Sequence, residues 1–363
     1  MDLRVLVLPG DGIGPEVTAE AVAVLHRVAD VFGHAARVSY GLVGGAAIEA
    51  LGSPLPPATL QQALDTDAVL LGAVGAPAFD ALPPDRRPER GLLALRQALG
   101  TFANLRPSRA WPALLDASPL KNAIVEGTDL LIVRELTSGL YYGTPRGVSG
   151  SGADERAVNT LTYTRAEIGR VARVAFELAR GRRRHVTSVD KSNVLENSQL
   201  WRRVVLEIAP DYPDVELDHL LVDNCAMQLV VNPRRFDVVL TENLFGDILS
   251  DEAAVLSGSI GMLASASIGE RRPSGLRTGL YEPVHGSAPD IAGHNVANPL
   301  GAIGSVGAML AYTFGLHREA RAVEAAIDQV VASGRVTADL RPSGRAASTT
   351  EVGRAVRDAI AGG

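Results

Sequence analysis

The chain has 363 residues, 46% hydrophobic and 21% charged, a balance that excludes wholesale disorder and, at roughly 100–200 residues per domain, suggests two domains. Thirty-five Lys and Arg against 41 Asp and Glu leave a net charge of −6, which excludes a general attractive field for nucleic acid or anionic membrane. The single Cys225 excludes an internal disulfide or a cysteine-rich metal site, and the seven His form no closely spaced pair, so any metal must sit mainly on carboxylates.

Met1-Asp2-Leu3-Arg4 leads into an apolar run stopped by Pro9-Gly10, too short for a secretory signal and suited to a strand over 4–8. A cytoplasmic protein is expected. Further along, a helix is expected over 15–32, a strand over 68–72, a helix over 92–99, a strand over 129–135 and a helix over 165–180. The pattern continues with a strand over 185–189, a helix over 194–209, strands over 216–222 and 237–241, and helices over 247–257 and 319–333. Two uncharged stretches, 253–269 and 295–316, are diluted with Gly and Ser and read as buried core helices rather than membrane spans. Strands alternating with helices predict an α/β fold with a largely parallel sheet, and a domain boundary is expected near Gly100. The basic run Arg180-Gly181-Arg182-Arg183-Arg184-His185 lies between a helix and a strand, and reads as a solvated helix C-terminus rather than a nucleic-acid patch.

Four groups of residues could carry chemistry. Gly10-Asp11-Gly12-Ile13-Gly14-Pro15-Glu16 follows the first strand, but Pro15 stands where a dinucleotide fingerprint needs its last small residue. It reads as a tight strand–helix turn and argues against an ordinary Rossmann site. Asp247 and Asp251 are four apart and share one helix face; they read either as an acidic surface or, with a cation between them, as a metal site. Asp223 ends an apolar run and could add a third carboxylate, a hard oxygen set that suits Mg²⁺ or Mn²⁺. Glu89, Leu92, Leu93 and Arg96 also share a helix face, which reads as a core stripe or a pocket wall. With Arg106 and Arg134 at element ends, Arg96 could bind a polyanionic small molecule, and Tyr141 and Lys191 are acid–base candidates.

Together these segments resemble the β-hydroxyacid oxidative decarboxylases, the isocitrate and isopropylmalate dehydrogenase family, over nearly the whole chain. Its most specific pieces are Gly91-Leu92-Leu93-Ala94-Leu95-Arg96, Phe102-Ala103-Asn104-Leu105-Arg106-Pro107, residues 243–251, and Glu282-Pro283-Val284-His285-Gly286-Ser287-Ala288-Pro289-Asp290-Ile291-Ala292-Gly293. The resemblance implies two α/β domains around a large mixed sheet, not a Rossmann domain: residues 1–101 with 258–363 on the cofactor side, and 102–257 carrying a dimer interface. It implies a homodimer with shared active sites, NAD as cofactor and Mg²⁺ or Mn²⁺ on Asp247, Asp251 and the partner subunit's Asp223. Arg96, Arg106 and Arg134 would hold the malate carboxylates, with Tyr141 and the partner subunit's Lys191 handling protons. Glu89, Leu92, Leu93 and the partner subunit's Val194 would surround the C3 substituent, and Asp223 would also approach the substrate. Ile13, Ala76, Glu89, His285, Gly286, Ser287, Ala288, Pro289, Asp290, Ile291 and Asn298 would bind the cofactor, the loop 76–89 completing the site. Asp290 could accept from a ribose hydroxyl and repel a 2′-phosphate, which favours NAD over NADP.

The activity so implied is oxidative decarboxylation of a 2-hydroxy acid, with 3-isopropylmalate, on the way to leucine, as the expected substrate. Relatives acting on isocitrate, homoisocitrate or tartrate are rival readings within the family, and a catalytically silent regulatory subunit is a rival of another class. That last reading expects losses among Tyr141, Lys191, the three Asp or the three Arg, and none is lost. The loop Gly75-Ala76-Pro77-Ala78-Phe79 ends in Ala and Phe where the family often has Lys and Trp, Ser138 replaces a usual glycine, and 270–277 reads as a surface insertion.

Overall fold

The structure, a computed structural model, describes residues 1–83 and 86–361. Pro84 and Asp85, within the expected cofactor loop 76–89, lie outside the described residues. The chain opens with β1 (Asp2–Gly10), α1 (Gly14–Phe32), β2 (Ala35–Tyr40), α2 (Gly44–Leu51), α3 (Pro57–Asp65), β3 (Ala68–Ala73) and α4 (Pro88–Leu99). There follow β4 (Ala103–Arg109), α5 (Asn122–Val125), β5 (Asp129–Glu135), β6 (Gly147–Ser149), β7 (Arg156–Val158), α6 (Arg165–Arg180) and β8 (His185–Asp190). Next come α7 (Glu196–Ile208), β9 (Glu216–Leu221), α8 (Val222–Val231), β10 (Val238–Thr241) and α9 (Asn243–Ala254). The last elements are β11 (Ala264–Arg271), β12 (Arg277–Pro283), α10 (Leu300–Tyr312), α11 (His317–Ala332) and α12 (Thr349–Ala359).

The chain forms two compact units. The first comprises Met1–Thr101, Ala110–Pro119 and Ser257–Gly363. The segment Ala110–Pro119, which the sequence reading groups with the second domain, belongs to the first unit, where Trp111 Nε1 donates to Asp328 at 2.9 Å. Here β1 runs parallel to β2 and β3, β12 runs parallel to β3, and β11 pairs antiparallel with β12. Leu6, Leu8, Val69, Leu71 and Leu280 from three of these strands form a core with Leu95 and Leu99 of α4. Such buried strands read as continuous apolar runs because a mostly parallel sheet is covered on both faces.

The second unit comprises Phe102–Arg109 and Leu120–Leu256. In it β4 pairs antiparallel with β5, and β10 lies parallel between β5 and β8, with β9 outermost. Helix α6 starts at a capping box, in which the Thr164 side chain takes the Glu167 N–H and Glu167 answers to the Thr164 N–H. A small antiparallel ribbon, β6 with β7, stands exposed.

Several expectations are corrected. The stretch 253–269 is not a core helix: it is the end of α9, two short 3₁₀ turns and most of β11. An uncharged run rich in Ala, Ser and Gly has no clear period, so composition alone does not separate helix from buried strand. The second such stretch does hold a buried helix, α10, but only over Leu300–Tyr312. Helix α9 starts at Asn243 rather than 247, because Glu242 caps it by accepting the Phe245 N–H at 2.8 Å. Helix α7 starts at Glu196 rather than 194, and Asp223 sits in the first turn of α8, not at a strand end. Residues 270–277 lie at the surface as expected, as the tip of the β11–β12 hairpin, closed by Arg272 N–H to Leu276 O at 2.7 Å. The basic run is more than a solvated cap. Arg180 pairs with Asp214, and Arg182 bridges Asp129 and Asp237 at 2.8 Å each.

Candidate active site

In the second unit, five expected site residues converge on α9. Arg134 is the penultimate residue of β5 and Arg106 lies on β4, where Asn104 faces Arg134 across the antiparallel ladder. Asp247 and Asp251 sit one turn apart on α9, as their spacing predicts. Arg134 Nη1 bonds Asp247 Oδ1, and Tyr141 OH donates to Asp247 Oδ2 at 2.9 Å. Arg106 Nη1 reaches Ser250 Oγ at 2.8 Å and Asp251 Oδ1 at 3.0 Å, with its Nη2 3.7 Å from Asp247. Two like charges at this spacing would repel on a bare helix; here two guanidiniums reverse the sign. Burial pushes the Asp247 carboxyl up, but Arg134, the Tyr141 hydroxyl and Arg106 outweigh it and hold it below the usual carboxylate range. Burial and the neighbouring Asp247 push the Tyr141 phenol up to about 12, so it holds its proton as a donor.

Lys191 and Asp223 form a second group in the same unit. Lys191 follows β8 and its Nζ donates to Asp223 Oδ1 at 2.8 Å, which holds the Asp223 carboxyl down. Among the described residues, no three His, Cys, Asp or Glu side chains of one chain come together to hold a metal. Asp247 and Asp251 nevertheless offer hard oxygen donors on one helix face, a set that fits Mg²⁺ or Mn²⁺ if a further carboxylate joins them. Val194, in the turn before α7, is 61% exposed.

The remaining expected residues belong to the first unit. On α4, Leu95 and Leu99 enter the core, Leu92 packs partly against it, Leu93 is half-buried and Glu89 is exposed. Arg96 is buried and paired with the buried Glu282 Oε1, while its Nε has no partner among the described residues. The segment expected to meet the cofactor is fastened to the first turn: Ile13 N–H donates to Ser287 O at 2.8 Å. Ile13 itself is 4% exposed, so its backbone, rather than its side chain, meets the expected cofactor loop. His285 is buried, donates from Nδ1 to Gly286 O at 2.9 Å, and leaves Nε2 without a partner among the described residues. Burial pushes its imidazole below the usual range, so Nε2 is a ready acceptor, such as an exocyclic amine of a nucleoside could use. Asp290 and Pro289 are exposed, and Gly286, Ser287, Ala288 and Ile291 lie at the surface beside them, with Ala76 half-buried in its loop. Asn298 is buried, with Nδ2 donating to Asp339 at 3.0 Å and Oδ1 accepting the Leu300 N–H at 3.0 Å, so its amide is engaged within the fold.

Residues outside the sequence-derived set complete both groups. Asp11 is buried and accepts three backbone N–H groups, from Gly45, Ala46 and Gly75, each at 2.8 Å, which pins the cofactor-side loop to the first turn. Glu282, Asn104, Ser250 and Asn243 each bond one of the three arginines. All of them stand in the motif strings without a periodicity that marks them, because every partner except that of Asn104 is distant in the chain. Gly12, at φ +56°, brings the turn against the Ser287 carbonyl; a Cβ there would lie 1.9 Å from that oxygen. Gly12→Ala should therefore displace the 285–291 segment and raise the KM for NAD, the expected cofactor, at least several-fold, with a lower melting temperature. Unchanged cofactor kinetics would show that the segment is not the cofactor site.

The model for the family described as isocitrate/isopropylmalate dehydrogenase matches residues 4–356. A 3-isopropylmalate dehydrogenase of Halalkalibacterium halodurans is 55% identical over 360 residues, covering 99% of this chain and 97% of the relative. One of Synechocystis is 58% identical over 342 residues, covering 94% and 93% of the two chains. Among solved structures, isocitrate dehydrogenase from Methylococcus capsulatus superposes with a TM-score of 0.85 at 36% identity, covering 99% of both chains. A beta-decarboxylating dehydrogenase from Thermococcus kodakarensis gives 0.79 at 38% identity, covering 99% of this chain and 96% of that one.

Proposed function

The chain belongs to the isocitrate/isopropylmalate dehydrogenase family, and from that premise we infer that it oxidises and decarboxylates 3-isopropylmalate to 4-methyl-2-oxopentanoate, in leucine biosynthesis. The observation that carries the reading is the acid pair of α9, Asp247 and Asp251, met by Arg106, Arg134 and Tyr141. Mg²⁺ or Mn²⁺ would be held by Asp247, Asp251 and Asp223 of the partner subunit, and NAD by the 285–298 segment and the loop at Ala76. When bound, the cation acidifies the C2 hydroxyl and NAD accepts the hydride.

Each residue then has a task. Arg96, Arg106 and Arg134 bind the two malate carboxylates, Arg134 from a site only 3% exposed where an ion pair is poorly screened. Lys191 of the partner subunit accepts the C2 hydroxyl proton. After CO₂ leaves, Tyr141, still protonated at neutral pH, delivers a proton to C3. Asp247 orients that phenol through the bond at 2.9 Å. NADH formation with 3-isopropylmalate, isocitrate, homoisocitrate and tartrate, each with and without Mg²⁺, tests the assignment. Turnover of isopropylmalate alone supports it, and equal turnover of another acid overturns it.

Among the described residues Asp223 does not join Asp247 and Asp251 in one metal-holding group within a chain, which suits a homodimer with shared sites. An apolar face supports it: Met227, Val230 and Val231 of α8 and Ile248 of α9 are all exposed. Ile248→Asp should split the dimer and lose activity together, measured by light scattering and turnover on one preparation. A monomer of full activity would overturn the shared site. No helix of the described residues is long and apolar enough to cross a membrane.

A further inference from the structure

We propose that Asn243 is a positioning residue, holding with one amide both the guanidinium of Arg134 and the loop that carries Tyr141; this rests on the roles read above for those two residues. The Asn243 Oδ1 accepts from Arg134 Nε at 2.9 Å and Nη2 at 2.7 Å. Its Nδ2 donates to the carbonyls of Leu136 at 3.1 Å and Ser138 at 2.9 Å. A primary amide has two acceptor sites and two donor hydrogens, and all four are used. Turned over, it would set N–H against N–H at the arginine and oxygen against oxygen at the loop, so only one orientation satisfies the site.

The amide is itself anchored. Asn243 is fully buried, and its backbone N–H donates to Tyr163 OH at 2.9 Å. That hydroxyl donates to Glu242 Oε2 at 3.2 Å, whose other oxygen caps α9. Gly246 lets the helix approach, since a Cβ there would lie 2.7 Å from Arg134 Cγ. One turn after Asn243, Asp247 takes Arg134 Nη1, so a single helix grips the guanidinium twice.

The choice of an amide has an electrostatic consequence. Asn243 accepts two bonds from Arg134 without neutralising it, whereas a carboxylate in its place would compete with an anionic substrate for the same charge. Residues 136 and 138, held by the same amide, lead directly to Tyr141.

The test uses Asn243→Ser, which releases both partners, and Asn243→Asp, which keeps the acceptors but adds charge and loses the donors. Both should raise the KM for the hydroxy acid about tenfold to a hundredfold and leave the KM for NAD within about twofold. Substrate binding, measured by calorimetry with Mg²⁺, should show that Asn243→Ser adds nothing once Arg134→Met is present, the non-additivity of residues acting through one another. A crystal structure of Asn243→Ser should show the guanidinium turned from its place. Additive losses, a joint rise in both KM values, or an unmoved Arg134 would each overturn the proposal. Failure of the unaltered enzyme to use isopropylmalate would instead overturn the function, and the crystal structure would still decide the role of Asn243.

Discussion

Asp247→Asn should raise the Mg²⁺ concentration needed for half-maximal turnover by about a hundredfold or more, and chelation should abolish activity in the unaltered enzyme. Loss of a residue that only supports a metal ligand already costs about 10–100-fold, and here the proposed anionic ligand itself disappears. The residue has a second function in the fold: its carboxylate meets Arg134, Arg106 and the Tyr141 hydroxyl. Replacing it by an amide leaves Arg134 buried without its closest counter-charge, so the melting temperature measured in chelator should fall as well. Ser250→Ala is the control, because it removes one bond to Arg106 at 2.8 Å and leaves every charge in place; its metal requirement should stay near that of the unaltered enzyme. Full turnover after metal stripping would sink the assignment of Asp247 and Asp251 as ligands.

Isocitrate should be rejected by a factor of about 10³ or more relative to 3-isopropylmalate, while ethyl- and methyl-substituted malates should be merely poorer substrates. Leu92, Leu93 and Glu89 on α4, with Val194 of the partner subunit, are the groups read as facing the C3 substituent. An isopropyl group suits that wall. A third carboxylate would come beside Glu89, and Arg87, the nearest upstream cation, is engaged with the carbonyls of Leu82 and Asp80 at 3.0 and 2.9 Å. An unpaired buried charge costs several kcal/mol, against about 1–3 kcal/mol for one methylene. Leu92→Ala should weaken isopropylmalate use more than malate use. Because Leu92 also packs partly against the first unit's core, the same change should lower the melting temperature. Comparable kcat/KM for isocitrate and isopropylmalate would return the enzyme to the isocitrate branch of its family.

The local grammar of the chain carried much of this. Alternating apolar runs and amphipathic stretches predicted the α/β class, and i to i+4 spacing alone set Asp247 and Asp251 on one face of α9. The failures are equally local in origin. Strand β4 contains Pro107 and two arginines, β2 alternates weakly, and 253–269 lacks any period, so none announces its structure. What no window of sequence can express is which distant side chain answers a charge. Arg96 finds Glu282 across 186 residues, Arg134 finds Asn243 and Asp247 across more than a hundred, and Asp11 gathers N–H groups from the first turn of α2 and from the loop after β3. Periodicity and turn chemistry are properties of neighbouring residues, so they are legible in sequence. Hydrogen-bond partnership depends on strand order and on the approach of one helix to one strand, and only the folded chain decides it.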